Sequence, residues 1–299
     1  MIRKIKKVAA VGTGIMGTQI ATLAACRGYE VSAHDRDEQA IQRSLESIRA
    51  IIELSWKEPI LTPEEWERGA QRVTFFEELP DAVKGADLVI EAVPEDLDLK
   101  REIFEQMDRY APERAILATN SSSIPVSRIE TATNRPQLCL NIHFYSLAMG
   151  VNMADLMGGR STAPETLDAA KAWLRSMGCV ALPVKKEIKG FCFNRVWRAI
   201  KRETLHMWAE GFVDYKDIDR AWMIAYGTPQ GPFGMMDRVG LDVVYAIEMS
   251  YYHETGNIRD CPPKALKDMV DQNKLGIKTK EGFYSYPDPE YARPGFILP

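Results

Sequence analysis

Short apolar runs alternate with longer amphipathic segments over the first 180 residues. KVAAVG at 7–12 and EVSAHD at 30–35 have the pattern of buried strands, and the segment between them, from about 16 to 27, has helical spacing. A strand, a helix and a second strand in this order open a parallel sheet. Five more apolar runs predict further strands at 72–76, 86–93, 115–120, 137–144 and 180–185.

Two stretches have a helical pattern instead. Residues 38–70 are polar, and Thr62-Pro63 followed by two glutamates predicts an N-cap, a proline at the first helical position and an acidic first turn. Beyond about 186 the chain continues in helical style, beginning with GFCFNRVWRAIKRETLHMWAEG, where apolar residues recur every three or four positions. We therefore expect an α/β fold, with a doubly wound, mostly parallel Rossmann-type sheet over 1–185 and a smaller all-helical C-terminal domain over 186–299.

Composition and charge narrow the function classes. The 299 residues include 42 acidic and 38 basic side chains, and this net charge of −4 argues against broad electrostatic attraction to nucleic acid or to an anionic membrane. No apolar run approaches the ~20 residues of a membrane helix, so we expect a cytoplasmic protein. The five cysteines are widely spaced and never form a CxxC pair, which suggests neither a disulfide framework nor a metal site.

A glycine-rich turn follows the first predicted strand and opens the first predicted helix. Gly12, Gly14 and Gly17, in GTGIMG with Ile15 and Met16 between them, have the spacing of a dinucleotide-binding turn. The first glycine permits a tight turn, the second lets the backbone approach a pyrophosphate, and the third lets the helix pack closely on the strand.

The second predicted strand ends in an acidic residue. Asp35 lies eighteen residues after Gly17, where a carboxylate can accept hydrogen bonds from a ribose diol. This carboxylate would repel a 2′-phosphate and favours NAD over NADP, although Arg36 beside it could contact a phosphate and leaves NADP as an alternative.

Among the four histidines, His143 is the candidate general base. It ends the run LCLNIHF, where a parallel strand brings a side chain to the ligand-binding edge of the sheet. An imidazole titrates near about 6.5, close to neutral pH, and needs a partner that fixes its tautomer; Asp155 is a candidate for that partner. His34, His206 and His253 are interpreted as structural.

Six segments resemble, in order and spacing, the L-3-hydroxyacyl-CoA dehydrogenase family over nearly the whole chain. They are VGTGIMGTQIA, ADLVIEAVPEDLDLKREIF, ATNSSSIPVSRI, GFCFNRV, GTPQGPFGMMDRVGLD and LGIKTKEGFYSY.

The resemblance implies a role for each matching residue. His143 would remove the hydroxyl proton while a hydride leaves the same carbon, and Asp155 stands where the family has a glutamate twelve residues after this histidine. Ser122 and Asn194 match residues that bind the substrate oxygen or an adjacent carbonyl. Cofactor contacts are implied for the glycine turn with Ile15 and Met16, and for Asp35, Glu91, Glu95, Lys100 and Asn120.

The chain departs from the family in two places. After its histidine the family reads HFFNPVPVMKLVEV, whereas this chain reads HFYSLAMGVNMADLMGG. Residues 40–70 also contain few basic side chains for the phosphates of coenzyme A, only Arg43, Arg49, Lys57 and Arg68. A β-hydroxyacid dehydrogenase with a catalytic lysine is disfavoured, because its lysine precedes its asparagine whereas Lys201 here follows Asn194.

We thus expect an NAD-dependent oxidoreductase that interconverts a 3-hydroxyacyl substrate, CoA-linked, and its 3-keto form, with a role in fatty acid metabolism. The alternatives are a dehydrogenase of a non-CoA hydroxy acid or polyol, and a non-catalytic NAD-binding sensor. The resemblance also implies a homodimer formed through the second domain, which is rich in large apolar groups: Trp197, Trp208, Trp222, Tyr226, Met235, Met236, Tyr245, Tyr251 and Tyr252.

Overall fold

The computed structural model describes residues 4–37, 39–53, 55 and 58–298. The chain divides into two compact units, Met1–Cys192 and Phe193–Pro299. The predicted assignment of 1–185 to cofactor binding and 186–299 to substrate binding and dimerisation stays a prediction.

Unit 1 is built on one eight-stranded sheet with the order β3-β2-β1-β4-β5-β6-β7-β8. Neighbouring strands are parallel except for β6 and β7, which are antiparallel. The predicted doubly wound, mostly parallel α/β fold is therefore confirmed. The strands are β1 Lys7–Val11, β2 Glu30–His34, β3 Val73–Phe76, β4 Leu88–Glu91, β5 Ile116–Thr119, β6 Cys139–Phe144, β7 Met153–Gly158 and β8 Val180–Val184.

Helices cover both faces of this sheet because successive strand residues point to opposite sides. Val8 and Ala10 of β1 belong to one core cluster, with residues of α1, α2, α3 and α6, whereas Ala9 and Val11 belong to another, with residues of α4 and α5. These helices are α1 Ile15–Cys26, α2 Ala40–Glu53, α3 Pro63–Ala70, α4 Leu79–Val83, α5 Leu97–Tyr110 and α6 Pro164–Ser176.

The sequence motif at Thr62 forms the predicted helix start. The Thr62 hydroxyl accepts a hydrogen bond from the backbone N–H of Glu65, and the Glu65 carboxylate accepts one from the N–H of Thr62. This reciprocal capping box, with Pro63 at the first helical position, satisfies two backbone donors that the helix leaves unpaired.

Strand β7 is an element that the apolar pattern did not predict. Its sequence, MADLMG, contains no β-branched or aromatic residue, although four of its six residues are buried. A short 3₁₀ turn, Leu147–Met149, reverses the chain after β6 and allows β7 to pair with it in the antiparallel direction. In this register His143 and Asp155 are direct cross-strand partners.

Unit 2 is helical in its described residues, as predicted, with two isolated β-bridges near its end. Its core contains Leu205, Met236, Val244 and Phe283. The helices are α7 Phe193–Ala209, α8 Tyr215–Tyr226, α9 Pro232–Val239, α10 Leu241–Thr255 and α11 Lys264–Asp271.

Across the described residues of both units, every helix is too short or too polar to traverse a lipid bilayer.

Candidate active site

A cleft of about 740 Å³ opens in unit 1 beyond the carboxyl ends of β1, β2, β4, β5 and β6. This is the edge where an open parallel sheet binds its ligands. The predicted site residues that line it are Gly12, Gly14, Ile15, Met16, Asp35, Glu95, Lys100, Asn120, Ser122 and His143.

The glycine turn at the start of α1 has the shape that a pyrophosphate requires. Gly12 has φ +93°, and a Cβ on Gly17 would lie 1.9 Å from the carbonyl oxygen of Gly12, so both positions require glycine. A Cβ on Gly14 would meet nothing within 4 Å, which leaves its backbone open to the cleft. The turn therefore fits a dinucleotide whose phosphates lie against the amino end of α1.

Asp35 is held at the cleft by its own neighbours. Its Oδ2 accepts hydrogen bonds from the backbone N–H of Thr13 (2.6 Å) and from the Thr13 hydroxyl (3.0 Å), and its Oδ1 accepts one from the N–H of Asp37 (3.1 Å). These donors fix the carboxylate where a ribose diol can reach it. Arg36 also lines the cleft.

Glu91 and Lys100 form a buried ion pair under the cleft. Nζ of Lys100 donates to Oε1 of Glu91 at 2.7 Å and to the carbonyl of Val93 at 3.1 Å, and both side chains are at most 1% exposed. Burial raises the pKa of Glu91, while Lys100 and the Thr119 hydroxyl (2.7 Å) oppose that shift. Lys100 lines the cleft and Glu91 does not, so the cofactor contact implied for Glu91 stays a prediction.

Glu95 is fixed from several directions. Its Oε1 accepts hydrogen bonds from the hydroxyls of Ser121 (2.6 Å) and Ser123 (2.7 Å) and from the Ser123 N–H (2.9 Å), and its Oε2 lies 3.4 Å from Nζ of Lys100. Burial raises the pKa of Glu95, but these donors and the lysine charge outweigh it and hold the pKa below its ordinary value. An ionised carboxylate at the cleft wall is the result.

His143 and Asp155 form a direct pair. Nδ1 of His143 lies 3.1 Å from Oδ2 of Asp155, and Asp155 is fully buried. Asp155 is one methylene shorter than a glutamate, but it reaches the imidazole directly because the two residues face each other across β6 and β7. With Nδ1 donating to the carboxylate, Nε2 retains its lone pair and can accept a proton.

Two aromatic residues that the sequence reasoning missed enclose this histidine. The Phe191 ring stacks on the imidazole at 4.9 Å with an interplanar angle of 10°, and the Tyr145 ring meets it edge-on at 4.7 Å. Strand alternation could have found Tyr145, since a residue two positions beyond His143 lies on the same face.

The predicted oxygen-binding residues, Ser122 and Asn194, lie in different parts of the chain, and Asn120 is a predicted cofactor contact near Ser122 in sequence. Ser122 is exposed and lines the cleft, whereas Oδ1 of Asn120 accepts the backbone N–H of Phe144 at 2.9 Å and so ties the end of β5 to β6. Asn194 is the second residue of α7 and belongs to unit 2.

Comparison with models of protein families identifies the family to which this chain is similar. Residues 7–188 match the model described as the NAD-binding domain of 3-hydroxyacyl-CoA dehydrogenase, and residues 190–286 match the C-terminal domain of the same enzyme. The chain belongs to the 3-hydroxyacyl-CoA dehydrogenase family. The predictions of an NAD-dependent oxidoreductase and of NAD as its cofactor are confirmed.

Individual relatives are similar to this chain over most of their length. A 3-hydroxybutyryl-CoA dehydrogenase from Clostridioides difficile is 31% identical and covers 94% of this chain and 99% of its own. A 5-formyl-3-hydroxy-2-methylpyridine 4-carboxylate 5-dehydrogenase from Mesorhizobium japonicum is 30% identical, over 94% of this chain and 91% of the relative. The solved structure of (S)-3-hydroxybutyryl-CoA dehydrogenase from Ralstonia eutropha superimposes with a TM-score of 0.82 at 29% identity, covering 95% of this chain and 100% of that one.

Proposed function

We propose that this family member interconverts a 3-hydroxyacyl substrate and its 3-keto form, with His143 as the general base. The observation that carries the proposal is the His143–Asp155 pair, whose histidine lines the same cleft as the glycine turn. Members of the family with names that specify 3-hydroxybutyryl-CoA support the substrate class.

Each residue of the cleft has a task in this reaction. The glycine turn and Asp35 hold the pyrophosphate and the ribose of NAD, which when bound supplies a two-electron hydride acceptor. His143 takes the hydroxyl proton at Nε2, and Asp155 stabilises the imidazolium that forms. Ser122 donates a hydrogen bond to the substrate oxygen. The role predicted for Asn194 stays a prediction.

Glu95 and Lys100 line the same cleft as the glycine turn. With Glu91 behind it, Lys100 keeps its ammonium fixed next to Glu95, so that both charges are available to the ribose and nicotinamide end of the cofactor. Asn120 contributes by holding the ends of β5 and β6 together.

A second candidate is a dehydrogenase of a hydroxy acid that carries no CoA. Among the described basic residues of α2 and α3, Arg43 pairs with Asp37 and Arg49 pairs with Glu67, so these two charges are already compensated. Lys57 lies outside the described residues. A relative named for a pyridine carboxylate is consistent with this alternative.

The test is a panel of 3-hydroxyacyl-CoA esters and free 3-hydroxy acids, each assayed with NAD by the absorbance of NADH. The proposal predicts turnover of 3-hydroxybutyryl-CoA, and turnover of free acids alone would favour the second candidate. Tight NAD binding without turnover of any member would contradict both and favour a non-catalytic NAD sensor.

The remaining expectations concern the protein as a whole. A homodimer and a role in fatty acid metabolism are implied by the resemblance, and a cytoplasmic location is expected from the sequence pattern. All three stay predictions.

A further inference from the structure

Tyr145 contacts the acid of the His143–Asp155 pair. Its hydroxyl donates to Oδ2 of Asp155 at 2.5 Å, and the same oxygen lies 3.1 Å from Nδ1 of His143. We propose that Tyr145 is a positioning residue, whose hydroxyl fixes the Asp155 carboxylate so that this short acid holds the imidazole of His143. The inference rests on the proposed function, since it assigns Tyr145 a role in orienting the proposed base.

The three donors around Asp155 define one orientation of its carboxylate. Oδ2 faces both His143 and Tyr145, and Oδ1 accepts the backbone N–H of Cys192 at 3.3 Å. A carboxylate on a strand has a broad torsion about its last bond. Tyr145 and Cys192 contact different oxygens, so together they select one rotation about that bond.

Because Asp155 is buried, these hydrogen bonds stabilise the charge of its carboxylate as well as its orientation. Asp155 is 0% exposed, and a buried carboxylate depends on hydrogen-bond donors to replace the water it has lost. A hydroxyl that donates to a carboxylate makes a charge-assisted hydrogen bond, which is shorter and stronger than a neutral one. Tyr145 thereby supports the tautomer in which Nε2 accepts the substrate proton.

The Tyr145 hydroxyl and the Asp155 carboxylate are in direct contact, so the length of one side chain limits the room for the other. Oδ2 of Asp155 already lies 2.5 Å from the Tyr145 hydroxyl, so a longer acid has room only if that hydroxyl is absent. Removal of the hydroxyl alone leaves the short acid with one donor fewer, and lengthening the acid alone brings it against the hydroxyl. In the double variant, the added methylene of the acid takes the space left by the removed hydroxyl.

The experiment is a double-mutant cycle on the panel member that the wild type turns over fastest. We expect Tyr145→Phe and Asp155→Glu each to lower kcat by about 10-fold to 100-fold, the effect of losing a hydrogen bond to a charged group. The KM for substrate and the Kd for NAD should stay within about 2-fold, because neither residue lines the cleft. In the double variant kcat should recover to within about 3-fold of the wild type.

The matched control is Tyr29→Phe. The Tyr29 hydroxyl also makes a 2.5 Å hydrogen bond, to Ser176, but outside the cleft, so its loss should leave kcat unchanged. Melting temperatures of all variants show whether each one folds.

The outcomes separate this inference from the function on which it rests. If His143→Asn retains turnover, the proposed base is wrong and the role of Tyr145 is wrong with it. If His143→Asn abolishes turnover but Tyr145→Phe keeps the wild-type kcat, only the positioning role is overturned. Multiplication of the two single losses in the double variant would overturn it too, because independent residues give independent effects.

Discussion

Gly14 and Gly17 lie three residues apart at the start of α1, but an added Cβ would meet different surroundings at the two positions. A Cβ at position 17 would overlap the carbonyl oxygen of Gly12, whereas a Cβ at position 14 would point into open space at the cleft. Gly17→Ala should therefore lower both the melting temperature and NAD affinity. Gly14→Ala should weaken NAD binding alone, since its methyl group would occupy the space of the pyrophosphate.

Calorimetric melting and NAD titration of the two variants provide the measurement. Each variant serves as the control for the other, because the chemical change is the same. Wild-type NAD affinity in Gly14→Ala would show that the pyrophosphate does not bind at this turn.

Single residues also show how far the sequence could predict the site. Asp35 and His143 were found because each ends a predicted strand, and both line the cleft. The burial of Lys100 was not predictable from its surroundings in sequence, which are acidic and helical. Only the fold shows that Glu91, nine positions earlier and at the end of β4, lies beside it.

At the scale of elements, β7 shows why the prediction of strands was incomplete. Its residues lack the apolar run or alternation that marks the other strands, and they are buried because α6 and the neighbouring strands cover them. The pairing of β6 with β7 is a tertiary property. For this reason the sequence could suggest Asp155 as a partner for His143 but could not show how the shorter acid reaches it.

The start of α9 depends on a buried acid from α8. Asp219 is fully buried, and its carboxylate accepts the backbone N–H groups of Phe233 (2.8 Å) and Gly234 (3.0 Å) and the hydroxyl of Tyr284 (3.0 Å). Burial, which exceeds the opposing effect of these donors, raises the pKa of Asp219 to about 6. This acid therefore binds its proton more tightly in the folded state than in the unfolded chain.

The sign of the resulting pH dependence follows from this shift. The contribution of Asp219 to stability is complete below about pH 4, near its pKa in an unfolded chain, and is lost as the pH rises through about 6. A shift of about two units corresponds to about 3 kcal/mol between those limits. We expect the melting temperature of Asp219→Asn, which cannot ionise, to fall less than that of the wild type between pH 4 and pH 7.

An exposed acid on α11 supplies the control for this comparison. Asp268 pairs with Lys264 at the surface, where ion pairs contribute little, so Asp268→Asn should follow the wild-type profile. Parallel profiles for Asp219→Asn and the wild type would show that the buried acid does not set the pH dependence.

At the scale of the whole molecule, the exposed apolar residues on which the expected dimer depends include Tyr226 but otherwise differ from those singled out in the sequence. Met236 and Tyr251 are buried, and Trp197, Trp208 and Tyr245 pack against the core of unit 2. The large apolar side chains that remain exposed in unit 2 include Phe212, Ile224, Tyr226, Val243, Ile247 and Ile258. Sequence composition could not separate the two groups, since that requires knowing which helix face is covered.

A homodimer predicts twice the mass of one chain in sedimentation equilibrium at micromolar concentration. The exposed residues Val243 and Ile247 are four positions apart on α10 and form one apolar stripe. Replacement of both by glutamate should give a monomer if this stripe is part of the interface. A wild-type protein with the mass of a single chain would contradict the prediction of a dimer.

The central claim, that His143 is the base in the NAD cleft, is tested most directly by His143→Asn. With the most active substrate of the panel and saturating NAD, kcat should fall by about 10²-fold to 10⁴-fold, because the hydroxyl proton loses its acceptor. The Kd for NAD should stay near that of the wild type, since the glycine turn and Asp35 are unchanged. An unchanged kcat on that substrate would contradict the account.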